Sequence, residues 1–326
     1  MIITFEGTDK GNNSAKKVVA AVGSMLSLSN NKKVCVIELT NDAVGVEELL
    51  RGKKLLNTDI FKKRGVSDKG IDALIRKAST MKLNKTHFYT AVSALMQSEN
   101  RLDIVRPSSK KSFYEDLFAD ENIEPAKRVI QDADKFYDFV LVLMPNNAKI
   151  INEFIRLGEV NVSCIRQAGK EEPFLTDKKN TLLVTNYDPE SSYDLKRISR
   201  EYKDDVAKIK CKFNTFLYNT QFRDSCHEFT LLSWMLKNYN VSVTDINYDF
   251  ISGLQKFVDY ISDTEAEETP EPTLKKRVKT PKIRDKKKRS IGDLEDVSEE
   301  ELAMIDAANE VRNMESDTEK STETEE

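Results

Sequence analysis

The residues best placed to do chemistry lie near the start of the chain. There Lys10, Gly11, Asn12, Asn13, Ser14, Ala15 and Lys16 follow one apolar run and open another. Lysines, a glycine and small polar residues in that order suit an anion, because backbone N–H groups and the positive end of a helix dipole converge on one point. Phosphate is the usual occupant of such a site. The elements that would hold it can be read too: Met1 to Phe5 as a short strand, Gly7 to Ser14 as a turn, and Ala15 to Leu28 as a helix. An ordinary strand, turn and helix with no ligand accounts for the same residues, and both readings stay open at this point.

Other reactive side chains make weaker cases. Cys226 and His227 are adjacent, but neighbours on a helix point about 100° apart, so they are not a nucleophile and its base. The two histidines, His87 and His227, have no metal-ligand spacing. Cys35, Cys164, Cys211 and Cys226 are scattered and suggest reduced thiols. No metal site is expected.

The chain has 326 residues, room for one large α/β domain with appendages or for two domains. Its charge is uneven. Residues 264–326 hold 12 Lys or Arg against 19 Asp or Glu, which leaves 39 against 36 in residues 1–263. Every aromatic residue lies at or before Tyr260, and three of the eight prolines fall between Pro270 and Pro281. So polar a segment cannot bury enough apolar surface to offset its ordering entropy, so a disordered low-complexity tail is expected from residue 264. No run of about 18 apolar residues suggests a membrane span, and no signal sequence is apparent, which predicts a soluble intracellular protein.

The periodicity of residues 1–263 predicts alternating strands and helices. Val34 to Leu39 reads as a doubly covered strand, Gly70 to Ala78 and Phe88 to Met96 as helices, and Leu102 to Val105 as a strand. Pro125 to Ala133 reads as a helix leading into a central strand within Phe136 to Asn147. A helix over Asn147 to Leu157 and a strand over Val160 to Arg166 follow, then a strand from Asn180 and a last one over Lys212 to Leu217. Amphipathic helices over Ser225 to Asn238 and Tyr248 to Ile261 close the fold, with Trp234 expected in the core rather than in recognition. The alternation argues for a parallel sheet with helices on both faces.

The opening stretch resembles the deviant P-loop of the ParA/MinD family of ATPases. That pattern is a lysine, two glycines, two variable residues, then lysine and serine or threonine. Lys10 matches the family's signature lysine and Gly11 its first glycine, but Asn12 stands for the second glycine. Ala15 takes the place of the phosphate-gripping lysine, and Lys16 that of the hydroxyl residue that ligates magnesium. An ammonium has donors and no lone pair, so it cannot ligate a metal ion. The resemblance continues to about Asp263. Glu38 and Asp42 are the carboxylates available where the family has its switch I segment, and Leu143 occupies the Walker B aspartate slot. Asp138 lies at the wrong end of that strand to replace it. Asn186 resembles the family's adenine-reading asparagine, although Asn186, Tyr187, Asp188 and Pro189 also make a good turn by themselves.

The resemblance implies a P-loop NTPase-like, Rossmann-like α/β domain over residues 1–263. It also implies a homodimer and a role in positioning or partition in a bacterial cytoplasm: segregation of a plasmid, conjugative element or chromosome, or pilus localisation. ATP is the implied cofactor, with magnesium, whose usual ligands are not matched. Lys10, Gly11, Asn12, Asn13, Ser14, Ala15, Lys16 and Asn186 are the expected nucleotide-binding residues. No catalytic residue is assigned, and Glu38 or Asp42 is the carboxylate to test. The departures at Ala15, Lys16 and Leu143 predict a degenerate member with weak nucleotide binding and little hydrolysis. An active ATPase in which Lys16 or the partner's Lys10 substitutes is one alternative, and a nucleotide-free scaffold presenting its tail is another. In that tail, residues 275–289 hold ten Lys or Arg and one Asp, a footprint for nucleic acid or an anionic membrane face. Residues 293–326 are acidic. Ser298 and Glu301 make a capping-box pattern before an apolar stripe of Met304, Ala308 and Val311, which suggests a protein-docking segment over residues 298–312.

Overall fold

The computed structural model describes residues 1–9, 13–40, 44–51, 69–97, 101–108, 110, 112–118, 122–206 and 209–263. The expected tail, and with it the predicted basic and docking segments, lies outside the described residues.

Eight strands form one sheet in the order β3-β4-β2-β5-β1-β6-β7-β8. They are β1 (Ile2–Gly7), β2 (Val34–Glu38), β3 (Ser93–Gln97), β4 (Arg101–Val105), β5 (Phe139–Leu143), β6 (Val160–Arg166), β7 (Lys179–Tyr187) and β8 (Cys211–Leu217). All neighbours are parallel except β3 and β4. The central strands β1, β2 and β5 are buried along their whole length, as unbroken Val, Ile, Leu and Phe runs require of strands covered on both faces.

One face is covered by α1 (Asn13–Leu28), α2 (Val46–Arg51), α10 (Thr220–His227), α11 (Leu231–Asn238) and α12 (Tyr248–Ser262). The other carries α3 (Ile71–Thr80), α4 (Lys85–Ala91), α5 (Phe113–Phe118), α6 (Ile123–Ala133) and α7 (Ala148–Phe154), and beyond them α8 (Leu195–Glu201) and α9 (Lys203–Val206). Alternate side chains of β2 supply both layers: Val34 and Val36 join the first, Cys35 and Ile37 the second.

Two expectations need correction. The helix expected over Phe88 to Met96 ends at Ala91, and Ser93–Gln97 turns into an antiparallel edge strand against β4. Pairing with Arg101–Val105 overrides a helical spacing only nine residues long. The helix expected over Ser225 to Asn238 is two helices, broken where Phe229 takes a left-handed φ of 58°. Trp234 is packed against the core as expected, edge-on to Phe222 and Phe250.

Candidate functional site

At the C-terminal end of β1 the described chain runs through Thr8 and Asp9, and it is described again from Asn13, the first residue of α1. A helix N-terminus has backbone N–H groups without intrahelical partners, and these groups make it attractive to phosphate. Here two of them are met from within. The Asp9 carboxylate accepts the N–H of Asn13 at 3.0 Å and of Ser14 at 3.2 Å, and it also accepts the Ser14 hydroxyl. A carboxylate thus sits where the sequence predicts a phosphate. Asp9 is a site residue that the sequence reading passed over. Its type is one that commonly caps helices, and that was the available signal.

Of the expected nucleotide-binding residues, Lys10, Gly11 and Asn12 lie outside the described residues, as does the switch carboxylate Asp42. Asn13 is exposed and Ser14 half-buried, whereas Ala15 and Lys16 are buried in the face of α1 that packs on the sheet. Asn186 sits at the same end of the sheet but on β7, with β6 between it and β1. It is exposed, at a register shift against β8, with a left-handed φ of 51°. Asp188 makes the contacts of a turn, accepting the N–H of Glu190 at 2.9 Å, and Gln167 brackets it through its backbone N–H and carbonyl.

The carboxylate end of β2 also departs from a metal site. Glu38 is fully buried, accepts the N–H of Val46 at 2.9 Å through Oε1, and leaves Oε2 without a hydrogen-bond partner among the described residues. Burial pushes its pKa up to about 8, reinforced by Glu48 and opposed by the Val46 N–H and the Lys16 charge. At neutral pH most of it is therefore protonated and is a poor cation ligand. Lys16, only 4% exposed, brings its ammonium to the same corner. Across β2 and β1, paired with Glu38 and Phe5, the end of β5 offers the buried Leu143. Among the described residues no group of three His, Cys, Asp or Glu side chains is arranged to hold a metal. The described residues at this corner thus make no magnesium site by themselves.

Beside the loop lies a cleft of about 520 Å³ lined by Gly7, Thr8, Asn146, Arg166, Glu171 and Glu6, among others. Glu6 is a second buried carboxyl that the sequence did not flag. It accepts the Ser163 hydroxyl at 2.6 Å and the Phe174 N–H at 2.8 Å. Burial pushes its pKa up to about 7 against both hydrogen bonds. Cys226 and His227 fall at the C-terminal end of α10, with the Cys226 thiol buried, and they form no joint site.

No family model matches the sequence, and no curated protein matches it. Solved structures do. A ParA family ATPase from Chlorobium tepidum TLS is similar with a TM-score of 0.57 at 11% identity, over 80% of this chain and 97% of that one. The fold is that of the ParA and MinD ATPases. McdA from Cyanthece, solved in the apo state, gives 0.55 at 11% identity, over 80% of this chain and 99% of the other. The cell division ATPase MinD of Pyrococcus furiosus gives 0.50 at 11% identity, over 79% and 98%. At such identity the likeness is one of ParA-type fold, with the mostly parallel sheet and the strand–loop–helix at its start. Among the described residues no helix is long and apolar enough to cross a membrane.

Proposed function

We propose that this chain is a positioning or partition factor on a ParA/MinD-type fold in which nucleotide binding is weakened and ATP hydrolysis is lost or residual. The Asp9 carboxylate on the first N–H groups of α1 is the observation that carries this reading. It places a negative charge where phosphate oxygens would sit, and phosphoryl transfer depends on positioning and charge neutralisation there. Ala15, Lys16 and Leu143 support it, because each lacks the donor or ligand that the resemblance calls for at its position.

In this reading the folded body, residues 1–263, acts as a dimeric platform in a bacterial cytoplasm. Residues 264–326 reach a partner: nucleic acid or an anionic membrane face through 275–289, a protein through 298–312. The cargo would be a plasmid, conjugative element or chromosome, or a pilus machinery. A steady-state assay with Mg²⁺ and ATP tests it alongside a localisation assay in cells. Turnover at background, with localisation that survives Lys10→Ala but fails when residues 264–326 are removed, is the expected result. Magnesium-dependent turnover that Lys10→Ala abolishes would overturn it.

A further inference from the structure

Between β6 and β7 the chain makes a parallel crossover of residues 167–178 without a helix. Such crossovers are normally helical, and their right-handedness puts this one on the same face as α7 and α8. An extended strap therefore lies where a helix would fill the layer between α7 and α8. Polar side chains pin it to the sheet. The Phe174 N–H bonds Glu6, Asn161 Nδ2 donates to Thr176 Oγ1 at 2.5 Å, and Asn180 Oδ1 accepts the Thr176 N–H at 2.9 Å. Glu171 N–H donates to the Tyr202 hydroxyl at 2.9 Å.

The slot left over the lower half of the strap is a groove of about 940 Å³, at the opposite end of β6 from the phosphate-type loop. Its walls include Ile155, Phe174 and Ile209, and its rim carries Arg156, Lys178 and Lys210 against a single carboxylate, Asp177. Lys178 Nζ donates to the carbonyls of Arg156 and Gly158 at 2.7 and 2.9 Å, so its charge is not neutralised by an acid. Among the described residues, neither Arg156 nor Lys210 has an ion-pair partner. In a body whose total charge is close to balanced, three cations around one partly apolar slot are a local bias.

We propose that this groove binds an acidic amphipathic helix of a partner protein, whose apolar side chains complete the missing layer while its carboxylates meet Arg156, Lys178 and Lys210. The half-buried Phe174, Leu175 and Ile209 favour a peptide over a nucleic-acid backbone, which would contribute phosphates and nothing to cover them. The full-length protein is panned with a displayed library of helical peptides that spans acidic to basic net charge. The selected peptides are then titrated by fluorescence anisotropy against wild type, Arg156→Glu/Lys210→Glu and Ile209→Glu, with thermal unfolding as a control on folding. The expected result is acidic amphipathic peptides whose affinity falls at least about tenfold in both variants, whose unfolding midpoints stay near wild type. Neutral or basic winners, equal binding to both variants, or no selectable peptide would overturn the proposal. So would duplex DNA that binds this groove and is lost in the charge variant while the peptides are not.

Discussion

Asp9 accepts the backbone N–H of Ser14 at 3.2 Å and the Ser14 hydroxyl as well, which closes the first turn of α1 with a carboxylate from the preceding loop. The pair acts as a cap, and caps have a measurable worth. Asp9→Ala is expected to lower stability by about 1 kcal/mol, the usual effect of losing such a residue. Urea unfolding of the two proteins checks it. A destabilisation near zero would mean that the carboxylate is dispensable to α1.

Two buried carboxyls set a pH dependence. Glu6 and Glu38 titrate at about 7 and about 8 in the folded chain, against an ordinary value of 4.5. A carboxyl whose folded pKa is raised supports the fold below its unfolded value and loses that support as pH rises through the folded one. The protein is therefore expected to lose stability between about pH 5 and pH 8, by roughly 3 kcal/mol for Glu6 alone at alkaline pH. Glu38→Gln should flatten the upper part of that slope. Thermal melts from mildly acid to alkaline pH decide it, and a melting point that rises over this range contradicts the assignment.

Gly70 precedes α3 with a left-handed φ of 82°, and an added Cβ would lie 2.9 Å from the Arg106 carbonyl oxygen. Backbone cannot move aside there, since that same oxygen accepts the Ile71 N–H at 3.0 Å. Gly70→Ala is expected to cost about 2 kcal/mol from strain and crowding together. Denaturant midpoints measure it, and a neutral substitution would mean that the α3–β4 junction is looser than described.

At the other end of the sheet, the buried Asp103 accepts the Tyr137 hydroxyl at 2.6 Å and pairs with Arg101, while its Oδ1 has no hydrogen-bond partner among the described residues. Tyr137→Phe removes one of few donors to a carboxylate that cannot reach water. The expected loss is about 1–3 kcal/mol. It is read from the same unfolding curves, and an unchanged midpoint would show that Arg101 alone satisfies Asp103.

Much of the fold was legible because its strands are unbroken β-branched and aromatic runs between polar turns. Val34 to Leu39, Leu102 to Val105 and Val160 to Arg166 lie within about a residue of their observed bounds. The sequence misled where pairing or a single backbone angle decides the outcome. Ser93–Gln97 is a strand only because Arg101–Val105 lies beside it, and Phe229 breaks a helix by its φ. At the site, the strand and the helix that flank the loop could be read from residue types alone. The cap on the helix could not, because the contact of Asp9 with the N–H groups of Asn13 and Ser14 is one that no periodicity records. Glu6 was hidden for a related reason: its partners Ser163 and Phe174 come from distant segments. The groove beside α7 was equally invisible, since it follows from a crossover with no helix.

Asp9 occupies the Asn13 and Ser14 N–H groups at the start of α1, which a bound phosphate would otherwise need. Titration calorimetry of the full-length protein with ATP, with and without Mg²⁺ and with light scattering in parallel, tests it most directly. Binding no tighter than about millimolar and no nucleotide-driven change of oligomeric state are predicted. Magnesium-dependent binding in the micromolar range, accompanied by dimerisation and lost in Lys10→Ala, would contradict it and make this chain a working nucleotide switch.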